Sequence, residues 1–196
     1  MENNIEAVIL AAGASRRMGE WKMTLPFAGR TIIENSVYQA LAVCSRVILV
    51  AGYRYRELRK LFAADKRIDL VINSDYERGM FSSVKLGTGA VHSEWFFLGL
   101  GDMPLVKPET YRLLMKYKGT DAVIPKYHGK KGHPLLLSSR VKEAILNYEK
   151  VNTLRDVLAD FPNLLIPVAA ENILIDIDNP EDYKTLLDNN RVEADS

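Results

Sequence analysis

Short apolar runs and amphipathic stretches alternate along this chain, and that alternation restricts it to a few folds. The runs at 5–10, 46–51, 68–72, 95–100 and 122–125 are each four to six residues long and mostly apolar. Runs of that length and type predict buried strands. Between them, Ile33, Val37, Leu41 and Cys44 recur at spacings of four, four and three, which marks one face of a helix. Leu58, Leu61 and Phe62 repeat the pattern on a shorter helix, Val84 and Val91 suggest a third, and Tyr111, Leu114 and Met115 a fourth. Strand and helix in alternation imply an α/β fold with a mostly parallel sheet covered on both faces. A length of 196 residues suits one domain over 1–196.

After Pro125 the rhythm breaks, and an excursion over about 126–170 is expected. It opens with a basic, glycine-containing loop at 126–132 and a short strand at 135–137. Helices near 140–148 and 153–160 follow, then a last strand at 173–177 and a helix opening at Asn179. Open α/β sheets bind ligands at the carboxyl ends of their strands, so the residues just after each strand are the candidates for function.

The loop after the first strand reads Leu10-Ala11-Ala12-Gly13-Ala14-Ser15-Arg16-Arg17-Met18-Gly19-Glu20-Trp21-Lys22. Small residues let backbone approach a ligand, and exposed N–H groups there can cradle phosphate. Arg16, Arg17 and Lys22 add three cations within seven positions. Together they read as a polyphosphate site, against the plainer reading of a strand-to-helix turn with solvated charges. It is not a dinucleotide fingerprint, because Ala11 stands two residues before Gly13. Nor is it a P-loop, because five residues separate Gly13 from Gly19 and Glu20 follows. Any anion site must be local, since 26 basic residues balance 25 acidic ones to a net charge of +1. That balance excludes a generally basic nucleic-acid coat.

Residues 10–33 align without a gap to the pattern L-A-A-G-x-S-x-R-M-G-x-x-K-x-L-x-x-x-x-G-x-x-x-I, departing from it only at Thr24. The chain thereby resembles the MobA-like nucleotidyltransferases, and its Ala11-Ala12-Gly13 is similar to the molybdenum cofactor cytidylyltransferase (MocA-like) branch. The guanylyltransferase branch reads L-A-G-G at that place. Four more stretches agree: Asn73 to Val84 with its Gly79-Met80 and Ser82-Ser83, Gly101-Asp102-Met103-Pro104, Gly132-His133-Pro134, and Asp176-Ile177-Asp178-Asn179-Pro180-Glu181-Asp182. Val151-Asn152-Thr153-Leu154-Arg155 departs from the family's G-D-x-G-x-R, leaving only Arg155 to correspond.

The resemblance implies a Rossmann-like three-layer α/β/α domain of the nucleotide-diphospho-sugar transferase type. It also implies transfer of CMP from CTP to a molybdopterin-type phosphomonoester with Mg²⁺ and release of pyrophosphate. A molybdenum hydroxylase client would then be a partner. An acceptor that is a sugar or alditol phosphate, or a non-catalytic delivery protein for such a hydroxylase, are the alternatives.

Asp102 closes a strand in a loop with Gly101 and Pro104, where one carboxylate plus phosphate oxygens would hold Mg²⁺. The resemblance implies a second ligand from the 176–178 region: Asp178 is expected, against a capping or solvated role, with Asp176 its substitute, the two alternating around Ile177 on one strand face. Asn179, Pro180, Glu181 and Asp182 are explained by helix capping. Arg17 and Lys22 would hold the departing pyrophosphate, with Arg16 beside them. Backbone of Leu10, Ala11, Ala12 and Gly13 would meet the nucleotide, and the resemblance adds the side chains of Asn73 and Ser83. His133 is assigned to the acceptor pocket with Arg155 and Lys131, and Lys126 and Lys130 extend an electrostatic funnel that could equally be a solvated hairpin tip. His92 reads as a surface residue and Cys44 as a buried structural thiol. One cysteine, no basic N-terminal region and no apolar run of membrane-spanning length lead us to expect a cytoplasmic protein away from membranes.

Overall fold

A computed structural model describes residues 4–148 and 153–194. Its first half contains β1 (Glu6–Ala11), β2 (Pro26–Phe27), β3 (Arg30–Thr31), α1 (Ile32–Leu41), β4 (Arg46–Ala51), α2 (Tyr55–Leu61), β5 (Ile68–Ile72), α3 (Met80–Gly89) and β6 (Trp95–Leu100). Then come α4 (Pro108–Met115), β7 (Ala122–Tyr127), β8 (Lys130–Lys131), β9 (Leu135–Ser138), α5 (Ser139–Asn147), α6 (Leu154–Ala159), β10 (Asn163–Pro167) and α7 (Pro180–Ala194). The main sheet runs β10-β7-β9-β6-β1-β4-β5, with β8 paired to β7. β5, β4, β1 and β6 are mutually parallel, whereas β9 runs antiparallel to both β6 and β7.

Alternation along β1 explains the three layers. Ala7, Ile9 and Ala11 face one core with Ile33 and Val37 of α1, Leu58 of α2 and Leu114 of α4. Val8 and Leu10 face the other with Val84 of α3, Val141 of α5 and Val157 of α6. Successive strand residues point to opposite faces, so one strand serves both cores, and every residue of β1 is buried. Local signals set the helix starts. Thr31 and Glu34 form a reciprocal capping box on α1, and the Ser138 and Thr153 side chains cap α5 and α6. Cys44 is buried past the end of α1, and burial pushes its thiol up to about 12.

The expected strand at 173–177 is a correction. Glu171–Ile173 is a 3-10 turn, and the last strand of the sheet is β10, which pairs with β7 along Asn163–Pro167. In place of a strand, 174–178 is an irregular crossing segment tacked down at both ends. His133 N donates to Ile173 O at 3.0 Å, and Ile177 N donates to Asp102 O at 3.2 Å. Ile177 is fully buried with Met18, Ile32 and Leu186 of α7. Gly132 allows the first of these approaches, since a Cβ there would lie 2.3 Å from Ile173 O. The basic stretch at 126–132 is the β7–β8 hairpin, turning through His128 and Gly129, both with positive φ. Val151 and Asn152 lie outside the described residues. No described helix is long and apolar enough to cross a membrane.

Candidate active site

β1 sits where the strand order reverses, with β4 on one side and β6 on the other. The loops leaving the carboxyl ends of β1 and β6 therefore diverge and open a crevice at the switch point. Gly101 makes the two ends meet closely: its N–H donates to Leu10 O at 2.9 Å, and a Cβ there would be 2.6 Å from Ile33 Cδ1. That contact fixes the loop carrying Asp102 beside the loop carrying Lys22.

At the crevice, Lys22 Nζ donates to Asp102 Oδ2 at 2.6 Å and to Asp178 Oδ1 at 3.0 Å. Arg17 Nη2 reaches the other oxygen of Asp178 at 2.6 Å. Lys22 is well covered, its side chain 10% exposed, whereas Arg17 is 72% exposed. Burial opposes the lysine's charge, but the adjacent carboxylates of Asp102 and then Asp178 outweigh it and raise its pKa. The Lys22 hydrogen bond, reinforced by the Lys22 and Arg17 charges, holds Asp178 below the usual carboxylate range. Desolvation and the charges of Asp178 and Asp102 push the neighbouring Asp176 the other way. Asp178 is positioned by its own helix start. Asp182 Oδ2 accepts from the backbone N–H of Asp178 and Asn179, while Asn179 Oδ1 accepts from those of Glu181 and Asp182.

These groups line a cavity of about 420 Å³ together with Ala12, Gly13, Ser15, Arg16 and Ser83. Gly13 leaves open space where a side chain would stand. Trp21 donates from Nε1 to Gly13 O and Ser15 accepts from Lys22 N, so the loop is folded back on itself. Arg16 lines the cavity and pairs with Glu77 at 3.0 Å. Two carboxylates that share one ammonium suit a hard divalent cation, which takes one or two carboxylates and fills its shell with phosphate oxygens and water. Among the described residues, no group of three His, Cys, Asp or Glu side chains forms a complete metal cage.

A second cavity, about 850 Å³, adjoins the first through Leu10, Met80 and Leu100. His133, Lys131 and Arg155 all line it, although they come from three separate elements. The His133 ring lies near Leu98 O. Burial outweighs this contact and the charge of Asp102, and lowers the imidazole's pKa. Lys126 and Lys130 do not line this cavity.

Two sequence-named residues stand apart. Ala11 is 1% exposed with its side chain in a core. Asn73 is also buried, and its amide donates to Ser82 and Ser83 while its carbonyl accepts from Asp75 N, so it braces the turn ahead of α3. Sequence reasoning passed over Met23, Tyr76, Met80 and Leu100, which also line the smaller cavity. The signal for Tyr76 and Met80 is their position inside the matched Asn73–Val84 stretch.

Residues 7–165 match the model for the MobA-like NTP transferase domain. The chain is 37% identical over 181 residues to the molybdenum cofactor cytidylyltransferase of Escherichia coli K12, covering 92% of this chain and 94% of that one. It is 34% identical over 136 residues to a probable molybdenum cofactor guanylyltransferase of Methanosarcina mazei, covering 66% and 60%. The fold superposes on the Rv0371C protein of Mycobacterium tuberculosis H37Rv in complex with manganese, with a TM-score of 0.80, 26% identity and coverage of 95% and 99%.

Proposed function

The chain belongs to the MobA-like NTP transferase family, and from that premise we propose that it transfers CMP from CTP to a molybdopterin-type molybdenum cofactor and releases pyrophosphate. The observation that carries the reading is the meeting of Lys22, Asp102 and Asp178 beside the open Gly13 backbone. The smaller cavity thus carries charged groups for a triphosphate, and the cavity next to it offers room for an acceptor.

In this reading a phosphate oxygen of the acceptor attacks the α-phosphorus of CTP. The bond from that phosphorus to the bridging oxygen breaks, and its electron pair leaves with pyrophosphate. A phosphomonoester has a second pKa of about 6 and is already ionised at neutral pH. The chain therefore needs no general base, and its work is alignment and charge stabilisation. Lys22 and Arg17 meet the charge that builds on the leaving group. Asp102 and Asp178 would hold Mg²⁺, which when bound neutralises phosphate oxygens. The manganese complex of the mycobacterial relative supports a divalent cation in this fold.

His133, Lys131 and Arg155 are the proposed acceptor contacts. Phe81, Val84, Leu98, Ile124 and Leu158 are among the apolar residues of the remaining wall, which also carries Thr153, Asp156 and Asn163. The apolar part of that wall suits a ring face of a heteroaromatic acceptor, and the polar side chains beside it would meet the acceptor's polar edge. Cys44, a lone buried thiol, suits a reducing compartment, so we place the enzyme in the cytoplasm.

The test is pyrophosphate release from CTP with molybdopterin, against a panel of sugar and alditol phosphates, with and without a chelator. Release with molybdopterin alone, abolished by the chelator, is expected. Release with a sugar phosphate and none with molybdopterin would replace the acceptor. Stoichiometric molybdopterin binding without pyrophosphate would make the protein a carrier.

A further inference from the structure

The smaller cavity spans the switch point of the sheet. Asp102 follows β6 on one side of β1, with Lys22 bound to it and to Asp178, whereas Tyr76 is seated against Gly52, which follows β4 on the other side. Arg16 also lines this cavity and pairs with Glu77 beside Tyr76. If the Lys22 side takes phosphates, the base lies toward the Tyr76 side. The cavity shares Leu10, Met80 and Leu100 with the larger one. Tyr76 also lines a separate surface cavity of about 400 Å³ together with Gly52, Tyr53 and Arg54. The Tyr76 side chain is therefore the partition between the nucleotide cavity and that outer space.

The backbone behind this partition is closed. Ala12 O accepts from Tyr53 N at 3.0 Å, which ties the end of β1 to the end of β4. A Cβ on Gly52 would lie 2.8 Å from Ala12 O and 2.8 Å from both Cβ and Cγ of Tyr76. The root of the tyrosine is thus seated on the Gly52 backbone, and the same residue lines both spaces. Tyr76 sits in the 3-10 turn Tyr76–Arg78, whose next residue, Glu77, is paired with Arg16 of the first loop.

We infer that the Tyr76 ring sets the size of the base this enzyme accepts, closing the cavity behind a pyrimidine and obstructing the second ring of a purine. This rests on the reading of the smaller cavity as the nucleotide site. It adds a side chain to discrimination that the Ala11-Ala12-Gly13 backbone alone does not supply, because Ala12 carries only a methyl group and its carbonyl is already bonded to Tyr53.

The experiment is calorimetric titration of CTP and GTP, each with Mg²⁺, into the wild-type protein, Tyr76→Ala and Tyr76→Phe. Wild type should favour CTP. Removing the ring joins the two spaces, so Tyr76→Ala should cut the CTP-to-GTP affinity ratio by about tenfold or more, the usual worth of a steric limit in a pocket. Tyr76→Phe keeps the ring and should keep the ratio. If Tyr76→Ala does not fold by thermal melt, Tyr76→Leu removes the planar ring while filling the seat on Gly52, and the ratio should again fall. An unchanged ratio in a folded ring-less variant, with wild type favouring CTP, overturns the inference and leaves the proposed function standing. A wild-type preference for GTP overturns the CTP reading itself and the inference with it.

Discussion

Lys22 shows how much chemistry one side chain can carry here. Its ammonium is the shared counter-ion of two carboxylates that lie 80 and 156 positions away in the chain. The motifs name all three residues, but sequence spacing cannot show that they meet, because the segments come together only once the chain is folded. Removing one partner of a covered ion pair leaves the others uncompensated, which costs several kcal/mol at covered sites and less where water reaches the charges. Lys22→Met should therefore lower the melting temperature in the absence of metal. It should also raise the stabilisation gained from added Mn²⁺ above that of wild type, because the cation now binds the native state without displacing an ammonium. In turnover the same variant should lose kcat as well as kcat/KM, by about 2–4 kcal/mol, the size of losing one pre-organised electrostatic donor. Thermal melts across a Mn²⁺ series and steady-state kinetics check the two halves. A variant that changes only the acceptor's KM would exchange the two substrate sites.

Among the elements, the strands at 46–51, 68–72 and 95–100 coincide with β4, β5 and β6. Near-continuous apolar runs in a buried sheet account for β4 and β6, whereas β5 is an edge strand with Asp69 inside it, legible through the branched Ile68, Val71 and Ile72. The failure at 173–177 has an equally physical cause. Ile173 and Ile177 are the buried residues there and stand four apart, whereas a strand would bury alternate positions. The missed β10 is an edge strand ending in Pro167, and a proline within a short apolar run weakens it as a strand signal. What precedes α7 is an N-cap rather than a strand end, and that cap holds Asp178 by its backbone. Asp182→Ala deletes the acceptor of two backbone N–H groups and should cost about 1 kcal/mol of stability. If the cap also positions Asp178, Mn²⁺ affinity measured by titration should weaken with it. A lower melting temperature at unchanged Mn²⁺ affinity would leave Asp182 a cap and nothing more.

At the scale of the whole molecule, the order β10-β7-β9-β6-β1-β4-β5 brings the hairpin residue Lys131, the loop residue His133 and the helix residue Arg155 to one cavity. Periodicity gives neither that order nor the antiparallel β9, since both depend on which edges pair. The cost of the arrangement falls on His133, which is kept neutral inside the fold. Burial lowers its pKa below the ordinary value of 6.5. Between the folded and unfolded pKa values the unfolded chain binds more protons than the native one, so stability rises with pH through that window and is flat above it. Acidification from about pH 6.5 should therefore destabilise the protein through His133 before the carboxylates titrate. Glu6 adds a second loss lower down. Desolvation opposes its charge, but the N–H groups of Ser93 and His92 and the Arg46 side chain bind the carboxylate more strongly and hold it below its usual range. Its contribution is present above the ordinary carboxylate pKa and is lost as pH falls through the depressed one. Urea midpoints for wild type and His133→Gln at pH 7.5, 6 and 5 separate the two groups. The wild-type midpoint should fall between pH 6.5 and 5 and the variant's should stay nearly level there, with both declining together once Glu6 protonates. Parallel curves over the upper interval would mean that His133 takes a proton without cost, and that the cavity wall around it is wetter than this packing allows.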